Sequence, residues 1–326
     1  MSMIRLLHIK RDGSVFDISG LVEQVKWSGR KGSAARTLEV SLLDSDRGGL
    51  GRSNIDVEDG QSCVFYWNDV ELFRGLIMLQ QSSDKPKMTI KAYDLGIHFS
   101  NSKDTFTYKN QTASQIFTDC CNRLQIPYNE VAETSYKIGE LPKSKTTHFD
   151  VIQDALSQTY KATGNRFFPI SLGGKMNLLH RKETILQWVI ETGVNLSAYT
   201  YKRSIEKVKT RVKLISNKDA VLAQKVNSAL EERIGVFQEI ETPKDDLNKA
   251  QLNELVNSII DEKGRTDKSL TISGLGIPEV YTGIGVYVII KELGIAQTFY
   301  VDQDTHTFKG RHHTMSLTLN WANDVD

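Results

Sequence analysis

The sequence predicts an α+β, β-rich fold: two related β-barrel-like modules, an intervening α/β domain, and a helical insertion in the second module. Three observations predict it. One β-hairpin pattern is written twice, near residue 60 and near residue 285. Between the copies, apolar residues change from the two-residue alternation of strands to the three-to-four-residue spacing of helices. A capped helical stripe then interrupts the second β-rich stretch at about residues 242–265.

The first module is expected over residues 1–98. Leu38, Val40 and Leu42 alternate with Glu39, Ser41 and Leu43, as in a strand with one buried face. Gly48-Gly49-Leu50-Gly51 and Asp59-Gly60 mark turns. The first hairpin copy opens at Gly60, runs to Trp67, turns at Asn68-Asp69, returns as Glu71–Ile77 and closes with Met88–Asp94. A two-residue Asn-Asp turn suits this because both residues tolerate the positive φ that a tight hairpin needs.

The middle domain is expected over residues 99–190, with two helices. Thr112-Ala-Ser-Gln115 has the form of a capping box, and Ile116, Phe117, Cys120, Cys121 and Leu124 share one helical face before Pro127. Thr147-His-Phe-Asp150 opens the second helix, where His148 and Asp150 are read as first-turn residues rather than catalytic ones. Phe149, Ile152, Leu156 and Tyr160 carry its stripe to Gly164. Two short strands, Arg166–Ile170 and Lys175–Leu179, join through Gly173-Gly174.

The second module is expected over residues 191–326. Its hairpin copy opens at Gly283, runs to Ile290, turns at Gly294, returns as Gln297–Asp302 and closes with Met315–Asn320. The insertion reads as a helix with Thr242 as N-cap, Pro243 at N1 and Asp245 at N3. Leu252, Leu255, Val256, Ile259 and Ile260 form its stripe, and Gly264 closes it.

Composition narrows the function. A length of 326 residues allows two or three domains with their own cores. A formal net charge of +1 gives no global drive toward nucleic acid or anionic membrane. Cys63, Cys120 and Cys121 make no disulfide framework and no Cys-x-x-Cys pair, so burial as small apolar side chains is expected. Met1–Lys10 has no signal-peptide pattern, and the apolar run Val286–Ile290 is too short to span a bilayer. The expectation is a chain made in the cytoplasm, with no membrane insertion and no cofactor.

Two patterns nominate chemistry. Asp302, Asp304 and His306 fall at alternate positions of a strand, so two carboxylates and an imidazole would share one face, as a metal-dependent hydrolase would use them. No third anchor is nominated from elsewhere, and the bland reading is a hydrogen-bonded strand leading into the loop Lys309–His313. Lys207, Lys209, Arg211 and Lys213 alternate with Val208, Thr210 and Val212. On a strand they would form a row of cations spaced about 7 Å apart, facing an acidic partner, a lumen or passing DNA, or a solvated face that blocks edge pairing. Nucleotide-binding loops and nucleophile elbows are missing from the sequence, so no catalytic residue is nominated.

Several short motifs, in order along nearly the whole chain, carry a resemblance. Leu72-Phe-Arg-Gly-Leu-Ile77 with Ala92-Tyr-Asp94, Gln111–Phe117, Leu156–Gly164 and Tyr300–Phe308 together resemble the XkdQ/YqbQ-type proteins of PBSX-like prophages. These are related to the late-control D-like baseplate hub proteins of contractile phage tails. The resemblance implies a homotrimeric structural protein of a phage or phage-like particle, made in the bacterial cytoplasm and built into the baseplate. Its two tube modules per chain would present six units to a hexameric tail tube and seat a trimeric central spike, beside other baseplate proteins. It gives Asp302–Phe308 no catalytic role.

Overall fold

Strand-forming alternation governs the ends of the chain and helical spacing its middle. The computed structural model, which describes residues 3–43, 57–82, 87–243 and 247–321, bears this out. The first β-rich stretch holds β1 (Ile4–Ile9), β2 (Val15–Asp17), β3 (Val22–Arg30), β4 (Thr37–Leu43), β5 (Ser62–Trp67), β6 (Val70–Ser82) and β7 (Lys87–Tyr93). The middle holds α1 (Gly96–Asn101), β8 (Lys103–Thr112), α2 (Ala113–Arg123), β9 (Tyr128–Val131), β10 (Lys137–Thr147), α3 (His148–Thr163), β11 (Phe167–Leu172) and β12 (Lys175–His180). There follow β13 (Ile185–Glu191), β14 (Leu196–Ser204), β15 (Arg211–Ile215), β16 (Val221–Val226), α4 (Ser228–Ile234), β17 (Gln238–Glu241) and α5 (Lys249–Lys263). The chain closes with β18 (Asp267–Leu275), β19 (Gly285–Ile290), β20 (Ile295–Lys309) and β21 (His312–Trp321). The expected turn at Gly48–Gly51 lies outside the described residues.

Contacts divide the chain into two units, residues 1–199 with 272–322, and residues 200–271. Thirteen of the described strands share one sheet of order β14-β18-β21-β20-β3-β4-β7-β6-β5-β1-β2, with β13 on β19 and β19 on β20. The described strands close no barrel: β2 and β14 end the order.

The sheet contains the same strand order twice. β1-β5-β6-β7-β4-β3 in the first stretch corresponds to β13-β19-β20-β21-β18-β14 in the second. Backbone detail repeats as well. Gly60 and Gly283 both take positive φ, 81° and 98°. Gly60 donates to Ile77 O at 2.8 Å, and Gly283 donates to Val301 O at 2.9 Å. Ile77 returns a bond to Gln61 O, and Val301 returns one to Ile284 O. Immediately afterwards both long strands carry a bulge, between Ile77 and Leu79 and between Val301 and Gln303. The copies differ at the flank, where β1 is antiparallel to β5 but β13 is parallel to β19.

The middle elements pack around one core that includes Phe99, Phe117, Val151, Ile152 and Leu178. Thr112 and Gln115 form the predicted reciprocal cap, and Thr147 accepts from the Asp150 N–H at 3.0 Å. Gly164 ends α3 at φ 70°. The buried face of α3 is His148, Val151, Ile152, Ala155, Leu156 and Thr159, so the stripe expected through Phe149 and Tyr160 is rotated by about one position. α1 has no side-chain cap on its N-cap residue Leu95, which is why the sequence signals only two helices here. The three cysteines are free and buried, and burial pushes the Cys63 thiol up to about 12.

In the second unit β15 lies between antiparallel β16 and parallel β17, and α5 packs Leu252, Val256, Ile259 and Ile260 on Val212 and Leu214. α5 corrects the sequence reading. Its N-cap is Asn248, in a capping box with Gln251, rather than Thr242. Asn248 Oδ1 accepts from Gln251 N–H at 3.0 Å, and Gln251 Oε1 accepts from Asn248 N–H at 2.9 Å. Two satisfied donors outweigh a Thr-Pro start, and the apolar stripe begins only at Leu252. The expected N3 residue Asp245 lies outside the described residues.

Candidate functional site

β20 is long enough to have two partners on one side. Its first half pairs with β19, from Ile290↔Ile295 to Gly285↔Tyr300. Past the bulge its second half pairs with β3, from Gln303↔Arg30 to Phe308↔Val25. This seam joins the two copies of the repeat, and the candidate residues of β20 lie on it.

Asp304 is fully buried there. Arg36, from the segment before β4, grips it with two bonds, Nη1 to Oδ1 at 2.8 Å and Nη2 to Oδ2 at 2.5 Å. Thr282 adds its N–H and its hydroxyl, both donating to Oδ1 at 2.7 Å. Burial alone would push the Asp304 carboxyl up, but the Arg36 charge and these hydrogen bonds hold it below the usual carboxylate range. The guanidinium lies over the Trp27 ring at 4.0 Å, and its backbone N–H donates to Asp94 Oδ2 at 3.1 Å. Asp94 also accepts from Gly96 N–H, and burial drives its carboxyl up to about 7.

His306 is equally buried, with Nε2 2.7 Å from Val280 O. A carbonyl only accepts, so Nε2 carries the proton and Nδ1 accepts from His313 Nε2–H at 2.9 Å. Burial lowers the His306 pKa to about 4 and that of His313 to about 3, leaving both rings neutral at pH 7. Trp27 and Phe308 pack around the pair.

This geometry overturns the expected convergence of three ligands. The bulge breaks the alternation between Asp302 and Asp304, and Asp302 bonds to Arg181 at 3.3 Å instead. Both Asp304 oxygens are occupied by protein donors. Among the described residues no three His, Cys, Asp or Glu side chains are placed to hold a metal ion. The expected loop Lys309–His313 is a tight turn at Gly310, with His312 and His313 already in β21. Sequence reasoning missed Arg36, Thr282 and Trp27. Arg36 stands 268 residues from Asp304, and no local pattern reports such a pair.

The cationic row is also corrected. The strand begins at Arg211, so Lys207 and Lys209 precede it. Arg211 pairs with Glu231 at 2.6 Å and Lys209 with Glu239 at 3.1 Å, leaving Lys213 half-buried on β15 and Lys207 exposed. Val208 and Val212 are buried as predicted. Two of the four charges are thus neutralised within their own unit.

Comparison with known proteins places this architecture. The YQBQ-like family model matches residues 25–320. The chain belongs to the YQBQ-like family. Among its relatives, this YQBQ-like protein is 35% identical over 303 residues to the phage-like element PBSX protein XkdQ of Bacillus subtilis strain 168, covering 92% of each chain. It is 33% identical to the uncharacterized protein YqbQ of the same strain, covering 94% of each. Its fold is that of the 43 kDa tail protein of prophage MuSo2 from Shewanella oneidensis, with a TM-score of 0.72 at 13% identity over 99% of each chain. The tail protein of Neisseria meningitidis MC58 aligns with a TM-score of 0.69 at 13% identity, covering 98% of this chain and 97% of that one.

Proposed function

We propose that this chain is a non-enzymatic baseplate hub subunit of a contractile phage tail or phage-tail-like particle, joining a hexameric tail tube to a trimeric central spike. The observation that carries this reading is the repeated strand order within one chain, locked by the Arg36–Asp304 seam. Three chains, each with two corresponding modules, offer six similar units on one side and threefold symmetry on the other. Kinship with a protein of a phage-like element and the fold of prophage tail proteins support the same setting. In this reading the partners are two further copies of the chain, the tube protein, the spike and neighbouring baseplate proteins, with DNA at most passing through the lumen. The chain acts after synthesis in the bacterial cytoplasm, by being built into the particle.

Solution mass tests it. Light scattering on the full chain, alone and mixed with a trimeric spike protein from the same source, is expected to give a three-chain mass in at least one condition. A strict monomer in both would overturn the hub reading.

A further inference from the structure

We propose that the open edge of β6 pairs with the open edge of β14 from a second copy of this chain, in the register that β20 and β3 use within one chain. The inference rests on the hub reading and specifies the surface through which copies join.

The correspondence between the copies fixes the register. Across β6, β7, β4 and β3, the residues Ile77, Ala92, Leu38 and Trp27 stand opposite one another in turn. In the second copy Val301 faces Leu319, and the bonds Gly276 N–H to His313 O and Leu275 N–H to Asn195 O set the numbering by which Leu38 corresponds to Leu270. Trp27 therefore corresponds to Thr200 and Arg30 to Arg203. On the long strands, Gln303 corresponds to Leu79, Asp304 to Gln80 and His306 to Ser82, since both bulges follow the matching pair Ile77 and Val301.

Within the chain, Gln303 faces Arg30, Asp304 faces Gly29 and His306 faces Trp27. Transferred between chains, the same seam sets Leu79 opposite Arg203, Gln80 opposite Lys202 and Ser82 opposite Thr200.

Both strands stand open where this requires it. Beyond Ile77, β6 keeps β7 on one side and has no described strand on the other, because β5 ends its pairing at Leu76. Among the described strands, β14 has β18 as its one neighbour. Val25 and Trp27, buried at the internal seam, correspond to Ala198 and Thr200, which are exposed in the single chain. Leu79 is 46% exposed, a large apolar side chain on an open edge. Such an edge is a template for another strand. Each chain offers one β6 edge and one β14 edge, so the contact is head-to-tail and builds a ring when its rotation closes.

Leu79→Cys with Arg203→Cys in one full-length chain tests the register. Gln303 and Arg30, the residues they correspond to, form a directly opposed pair at the internal seam. Cys63, Cys120 and Cys121 are buried and do not compete. Mild oxidation is expected to convert most of the chain into reductant-sensitive multimers that reach a closed size. Leu79→Cys with Lys202→Cys, shifted by one residue onto the opposite face, is expected to stay uncrosslinked. An unchanged circular dichroism spectrum and melting temperature show that both variants fold. If the chain has a multi-chain mass but the Leu79–Arg203 pair does not bond, this interface is wrong and the hub reading stands. If no multi-chain mass forms at all, both fall.

Discussion

Past its bulge, the long strand of the second copy meets β3 and a buried ion pair, whereas on the matching side the corresponding stretch of the first copy has no described strand. The same backbone plan carries different chemistry in the two places. Asp304 stands where the first copy has Gln80, and Arg36 stands where the second has Lys268. A carboxylate sealed from water is tolerable only when its cation is always present, and within one chain Arg36 always is. On β6 the matching residue is an uncharged amide, and Gln80 Nε2–H donates to Asp59 Oδ1 at 3.1 Å. The difference teaches that the same position in the repeat can hold a buried carboxylate where a cation is built in beside it and a neutral amide where none is.

The sharpest way to break this contrast is to remove one half of the ion pair. Arg36→Ala or Asp304→Ala leaves the other charge buried and uncompensated, and is expected to cost about 3–5 kcal/mol in urea unfolding. Replacing both with a matched apolar pair is expected to recover much of that loss. A small effect from either single variant would show that water reaches the seam.

Acid provides the next test. Unfolded, His306 takes a proton below about pH 6.5; folded, burial delays this to about 4. The unfolded chain therefore binds more protons across that window. The stability tied to the neutral ring is complete above pH 6.5 and is lost as pH falls toward 4. His313, lowered to about 3, extends the same trend. Asp94 acts in the opposite sense: its folded pKa of about 7 means stability is lost as pH rises from about 4 to 7. Comparing the chain with His306→Gln isolates the first slope. The variant is expected to be flatter between pH 6.5 and 4 by an amount on the order of 3 kcal/mol. Parallel pH profiles would show that His306 is hydrated when folded.

The smallest effect compares the two opening glycines. Gly60→Ala and Gly283→Ala both force a side chain into positive φ, at about 1–2 kcal/mol each. A Cβ at Gly283 also meets the Phe168 ring, while at Gly60 the nearest side-chain atom is Arg11 Nη2 at 3.7 Å. Thermal unfolding is expected to rank Gly283→Ala as the more damaging. Equal losses would mean the Phe168 ring moves aside freely.

What could be read from the sequence follows the range of the interactions. Caps at Thr112 and Thr147 and the stop at Gly164 are local, and each appears where its residues predict. The hairpin repeat was legible because Gly60 and Gly283 punctuate matching alternations. α5 misled because two start signals lie six residues apart, and the reciprocal Asn248–Gln251 cap, next to a stripe that packs on Val212 and Leu214 from Leu252 onward, selects the later one. Asp304 and His306 were visible as a pair, but their meaning lay in Arg36, Thr282 and Val280, which sequence spacing does not connect to them. A bulge invisible in the alternation sent Asp302 to Arg181. The cationic row failed for a similar reason, since nothing local placed Glu231 and Glu239 beside it.

The hairpins that follow β3 and β14 hold a last consequence. In the first copy, residues 31–36 suffice to turn the chain from β3 into β4; in the second, residues 205–266 fill the corresponding gap between β14 and β18. The repeat therefore tolerates, at one defined joint, anything from a short turn to a folded domain. Natural diversification can proceed there by cassette exchange while the sheet stays intact. The same joint offers protein engineers a docking port for foreign cargo: a small domain spliced at residues 32–33 is expected to leave the strands of the sheet in place.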